Sequence, residues 1–90
     1  MVSYNTGALV RIIDARLYGD ENKEIDNISI DSRKIINPGS ALFFAIRGPN
    51  RDGHRFIHEC RQLGVRAFVV DTLPEDHKGY AETTFLVVQD

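Results

Sequence analysis

Asp31-Ser32-Arg33 sets a carboxylate, a hydroxyl and a guanidinium in three consecutive positions, directly after the run Ile25 to Ile30. Such a triplet offers donors and acceptors to a polar ligand, or folds on itself through an Asp31–Arg33 ion pair that shapes the loop. Ser32 also has a purely local reading, as a turn serine bonded to its own backbone. A second polar stretch, Arg47-Gly48-Pro49-Asn50-Arg51-Asp52-Gly53-His54, follows the apolar run Ala41 to Ile46. Asn50 presents an amide and Arg51 a cation, both suited to an anionic small molecule, although Arg51 reads equally as a solvated loop arginine. Asp52 stands where a helix cap would, so it is expected to accept backbone N–H groups rather than act as a catalytic acid. Gly48 and Gly53 relax the backbone of this loop. His54 and His58 have the i, i+4 spacing of a metal pair, but no third ligand follows at a characteristic distance, and no metal site is expected. Cys60 falls on an apolar face and reads as a buried, inert thiol.

Two loops of this kind need a sheet to hold them. Ala41-Leu42-Phe43-Phe44-Ala45-Ile46 is apolar throughout, the pattern of a strand covered on both faces, and Pro38-Gly39-Ser40 is the turn that precedes it. Ile25 to Ile30 alternates with period two, which predicts a half-buried strand with Ile28 and Ile30 on one face. Phe56, Cys60 and Leu63, widened by Ile57, form the stripe of a helix from Arg55 to Leu63, with Gly64 closing it in the left-handed conformation. Ala67 to Val70 is another short apolar strand. With the helix filling the crossover, it is expected to run parallel to the Ala41 strand. Thr84 to Val88 is a further strand, and Ala15 to Tyr18 a short edge strand. Near the start, Asn5 or Thr6 caps a helix whose stripe is Leu9, Ile12 and Ile13. Glu21 to Glu24 reads as a charged turn, and Asp71 to Tyr80 as a loop with room for one helical turn. The sum is an α/β sandwich of three layers: a mixed sheet of about five short strands flanked by two or more helices.

Ninety residues suffice for one domain with a modest core. With 11 basic and 13 acidic side chains, net charge −2, the chain has no global field to gather a polyanion, so nucleic-acid binding is not expected. A lone cysteine fits a reducing cytosol, and no run approaches a membrane span. Because the sequence stops just after a core strand, it is expected to be one domain of a larger protein.

The order Asp31-Ser32-Arg33, Pro38-Gly39, Leu42-Phe43-Phe44-Ala45-Ile46, Gly48, Asp52-Gly53-His54, Phe56-Ile57 and Gly64 resembles the N-terminal domain of the Mur ligases. These ATP-dependent enzymes extend the peptide of UDP-N-acetylmuramic acid. The tight match runs from Ile25 to Val70, about half of the chain. Where most members join Pro-Gly to Leu-Phe through a single acidic residue, this sequence has Ser40-Ala41, one residue longer. That joint, with Phe44 and the segment Gly64 to Val70, looks most like the ligase adding D-alanyl-D-alanine in its form fused to an alanine racemase. The ligase adding the third-position diamino acid is the alternative. An unrelated possibility is a stand-alone interaction module.

The resemblance implies a binding role in the cytoplasm. Residues matching Ile30 and Ser32 contact the UDP-sugar in relatives that add the third residue, and the segment matching Pro49, Asn50 and Arg51 lies against the nucleotide. Asn50 would then pair with uracil and Arg51 meet the pyrophosphate, while Asp31, Arg33, Gly48, Asp52 and Gly53 shape the loops. The sequence has no G-x-x-x-x-G-K-S/T run, so nothing in it cradles ATP phosphates. ATP and Mg, and every catalytic group, would belong to the central and C-terminal domains of the parent chain. The partners implied are therefore UDP-N-acetylmuramoyl-peptide and those two domains.

Overall fold

The computed structural model describes residues 3–45, 55–75, 77–80 and 82–89. One strand in from the edge of its main sheet lies Ala41–Ala45 (β5), where Ala41, Leu42, Phe43 and Ala45 are buried and Phe44 is partly so. Beside it on one side runs Ala67–Val70 (β6), all four residues buried, and beyond that Thr84–Val87 (β7). On the other side Asn27–Ser29 (β4) forms the edge, and Arg16–Tyr18 (β2) closes the opposite edge. The order is β2-β7-β6-β5-β4, parallel except where β2 meets β7. A separate antiparallel pair joins Tyr4–Asn5 (β1) to Glu24–Ile25 (β3).

Two helices cover the faces. Arg55–Leu63 (α2) is the crossover between β5 and β6 and lies over a row of three phenylalanines. Phe43, Phe68 and Phe85 stand in register on three adjacent strands. Phe68 stacks on Phe85 with centroids 5.8 Å apart, and Phe43 meets Phe68 edge to face at 6.1 Å. Such pairs add about 0.5–1.5 kcal/mol each beyond the area they bury. Ile57 and Cys60 press on this row from α2. The helix ends at Gly64, whose φ of 110° frees Val65 N–H to bond Cys60 O (2.9 Å) while Gly64 N–H bonds Arg61 O (3.0 Å). This paired closure satisfies two terminal carbonyls and tucks Val65 against Cys60.

On the opposite face Thr6–Ile12 (α1) starts at Asn5, whose side-chain oxygen accepts the Ala8 N–H at 2.7 Å. Of the two cap candidates Asn5 is therefore the cap, and Thr6 is buried, its hydroxyl donating to Asp20 O. Leu9, Val10 and Ile13 pack towards Ile25, Leu42, Val69 and Leu86.

The sequence expectations at Ile12, Leu63, the undivided strand from Ile25 to Ile30 and Glu24 need correction. Ile12 is 67% exposed, and Val10 takes its place in the stripe. Leu63 is 54% exposed, because the turn at Gly64 lifts the last residue of α2 off the sheet. Ile25 to Ile30 is not one strand: Ile25 belongs to the small β1–β3 pair, and only Asn27–Ser29 joins the main sheet. Within β4 the buried residue is Ser29, opposite Phe43, whereas Ile28 and Ile30 are 62% and 73% exposed. Alternation fixes which residues share a face but not which face is covered, and α1 contacts β1 and β2, away from the β4 edge. Glu24, read as part of a turn, is paired with Asn5 in a strand.

Candidate functional site

All four parallel strands point their carboxyl ends to one edge of the sheet. In open α/β sheets, ligands bind in the crevice outside those ends. The adjacent parallel strands β4 and β5 end at that edge, at Ser29 and Ala45, and Ile30 with the Asp31-Ser32-Arg33 stretch follows β4 there.

The loop after β4 is built from local hydrogen bonds. Ser32–Lys34 forms a single 3-10 turn with Asp31 as its cap. Asp31 Oδ1 accepts the Arg33 N–H at 2.9 Å and Arg33 Nε at 3.1 Å, and Oδ2 accepts the second guanidinium nitrogen at 3.2 Å. Bonds from the Arg33 side chain and then from its backbone hold the Asp31 carboxyl at about 2, below the ordinary 3.8. The Arg33 side chain is 85% exposed, yet its fork is already engaged within the loop. Beneath the turn, Ser29 Oγ donates to Asp31 O at 3.0 Å and faces the Asp31 N–H at 3.4 Å. Lys34 N–H returns to Asp31 O at 3.0 Å. The turn is held by these local bonds together with the Ser29 hydroxyl beneath it, and Ile30 projects into solvent beside it.

Of the site residues expected from sequence, Ile30, Asp31, Ser32 and Arg33 stand together at the end of β4. The side chain of Ser32 lies outside what is described. Gly48, Pro49, Asn50, Arg51, Asp52 and Gly53 lie outside the described residues. His58 contacts Gln62 at 3.2 Å on the exposed side of α2, and His77 meets the Pro74 carbonyl at 2.9 Å. Among the described residues no group of three His, Cys, Asp or Glu side chains is arranged to hold a metal. Cys60 is fully buried, and desolvation, with the Glu59 charge, raises its thiol to about 11.

Sequence reading missed two clefts. One, of about 630 Å³, opens at the carboxyl ends of β6 and β7, with Asp14, Arg16, Asp71 and Gln89 among its walls. The other, of about 490 Å³, lies at the amino end of β7 between Asp20, Lys23, Arg66 and Glu82. Each mixes both signs of charge, and each assembles from segments distant in sequence, so no local motif announces it. Ser29 was missed too, since a serine inside an apolar alternation reads as a surface residue.

Comparison with known proteins gives three findings. The family model described as "Mur ligase family, catalytic domain" matches residues 24–89. Among curated relatives, a UDP-N-acetylmuramoyl-tripeptide–D-alanyl-D-alanine ligase from Haemophilus influenzae is 36% identical over 70 residues, 78% of this chain and 15% of its own. A UDP-N-acetylmuramoyl-L-alanyl-D-glutamate–2,6-diaminopimelate ligase from Phocaeicola vulgatus is 41% identical over 59 residues, 66% of this chain and 12% of its own. The chain thus spans about a seventh of the length of such relatives. In fold it superposes along its whole length on the solved structure of a UDP-N-acetylmuramoylalanyl-D-glutamyl-2,6-diaminopimelate–D-alanyl-D-alanyl ligase from Acinetobacter baumannii. The TM-score is 0.78 at 24% identity, covering 19% of that chain.

Proposed function

Because the chain belongs to the Mur ligase family, we propose that it is the N-terminal, UDP-substrate-binding domain of a cytoplasmic peptidoglycan-precursor ligase. One observation supports this reading: β4 and β5 are parallel neighbours, so the Asp31-Ser32-Arg33 turn stands at the edge of the sheet where β5 ends. Ile30, Ser32, Pro49, Asn50 and Arg51 are the proposed contacts to the UDP moiety. Asp31 and Arg33, closed on each other, act as the frame of the first loop, and Gly48, Asp52 and Gly53 as that of the second.

The role is positional. Fixing the uridine diphosphate end of a long substrate determines where its peptide carboxylate lies in the rest of the parent enzyme, and removes part of the entropic barrier to reaction. ATP and Mg are assigned to the central domain, in keeping with the absence of a phosphate-binding loop from this sequence. UDP-N-acetylmuramoyl-tripeptide is the proposed substrate and D-alanyl-D-alanine the group added, in a parent of the kind fused to an alanine racemase. The long Ser40-Ala41 joint supports that choice. A second reading, the diaminopimelate-adding ligase, is favoured by the higher identities of some such relatives, 44% over 57 residues in Clostridium acetobutylicum.

Calorimetry of the 90-residue chain with UDP, and with ADP as the control, tests the binding role. Preference for UDP is expected. Equal or tighter binding of ADP would defeat a uridine-reading site.

A further inference from the structure

Ser29 is a polar residue on the covered side of an edge strand, 7% exposed and opposite Phe43. An apolar side chain would satisfy that position by packing alone. Its hydroxyl instead reaches forward two residues, donating to Asp31 O at 3.0 Å and lying 3.4 Å from Asp31 N–H. Asp31 is the cap of the Ser32–Lys34 turn, and its carboxylate grips Arg33. The buried hydroxyl therefore fastens the cap, and the cap fixes the turn. Without it, the Asp31 carbonyl and N–H would lose their only anchor to the sheet among the side-chain contacts described for them, and the exit angle of the chain at Ile30 would loosen.

We infer that Ser29 is a positioning residue: its hydroxyl, working through the Asp31 backbone, fixes the course of the chain from Ile30 into the Ser32–Lys34 turn at the proposed nucleotide site. The inference rests on the proposed UDP site, but its first consequence is visible without ligand. Pre-ordering of this kind raises affinity by removing the cost of arranging the loop on binding. The hydroxyl itself touches no substrate.

The test uses the full 90-residue chain, labelled with ¹⁵N, as wild type, Ser29→Ala and Ser29→Thr. In the free protein, amide exchange at Arg33 and Lys34 should quicken at least tenfold in Ser29→Ala relative to Phe68 and Val69. Ser29→Thr, which keeps the hydroxyl on a strand-favouring side chain, should restore the wild-type ratio. With UDP added, Ser29→Ala should bind about five- to tenfold more weakly, again restored by threonine. A general loss of stability would quicken all amides together. Unchanged Arg33 and Lys34 exchange in Ser29→Ala, or failure of threonine to restore it, overturns the inference. If wild-type chain does not respond to UDP at all, the nucleotide reading falls instead, and the exchange data alone still decide whether Ser29 orders the turn.

Discussion

Asp31 and Arg33 form a closed clasp, in which one carboxylate accepts both the backbone N–H and the guanidinium of the residue two places on. The clasp joins residues only two apart in sequence, so it depends on the local turn rather than on distant parts of the molecule. It commits the Nε and one terminal nitrogen of Arg33 to the loop, and Arg51 is the cation proposed for the pyrophosphate.

The clasp has a pH signature. Asp31 is depressed to about 2 from 3.8, so its contribution to the turn is complete above about pH 4 and is lost as pH falls through 2. Carboxyl titration by NMR should give that low value, and Arg33→Ala should return it towards 3.8. A midpoint near 4 with Arg33 in place would show that the clasp is open in solution.

The sheet predicts unequal costs for neighbouring substitutions. Phe43→Ala removes the end of the buried phenylalanine row and should cost roughly 3–5 kcal/mol, most of the stability of a small domain. Phe44→Ala, on the half-covered face, should cost clearly less. Ile28→Thr, at an exposed edge position, should stay within about 0.5 kcal/mol. Urea unfolding of the three variants checks the order, and an Ile28 effect as large as that of Phe43 would contradict the facing of β4.

How far the sequence could go is shown by these same residues. The five strands of the main sheet, the crossover helix, the parallel β5–β6 pair and the closure at Gly64 were all legible, because apolar runs, helical stripes and a well-placed glycine are local signals. The facing of Ile28 and Ile30 was not, since it depends on how far α1 reaches across the sheet. Nor was the splitting of Ile25 from Asn27–Ser29, which depends on a partner strand more than twenty residues upstream. At the candidate site, the Asp31–Arg33 pair was readable from spacing alone. The buried hydroxyl beneath it needed the register of β4 against β5.

Gly19 offers a test of backbone fit. Its φ is 130°, and an added Cβ would come within 2.8 Å of Thr84 Cα and Oγ1. Gly19→Ala should lower stability by more than about 1 kcal/mol, because strain and overlap act together. A melting temperature equal to that of the wild type would show that β2 does not lie against β7 as described.

Cys60 should be silent to thiol reagents in the folded chain. Burial raises it to about 11, so the reactive thiolate is scarce at neutral pH as well as hidden. Dithionitrobenzoate should react only at the rate of unfolding, and rapid modification of native protein would place the α2 face in solvent.

The central claim, that two loops from adjacent strand ends form one nucleotide site, is tested most directly by titrating UDP into the ¹⁵N-labelled chain. The account predicts progressive, saturable shifts at the amides of Ile30 to Arg33 and of Gly48 to Gly53, with Leu9 to Ile13 unmoved. Millimolar UDP that shifted signals around the Asp14 or Lys23 clefts and left both loops unchanged would contradict it.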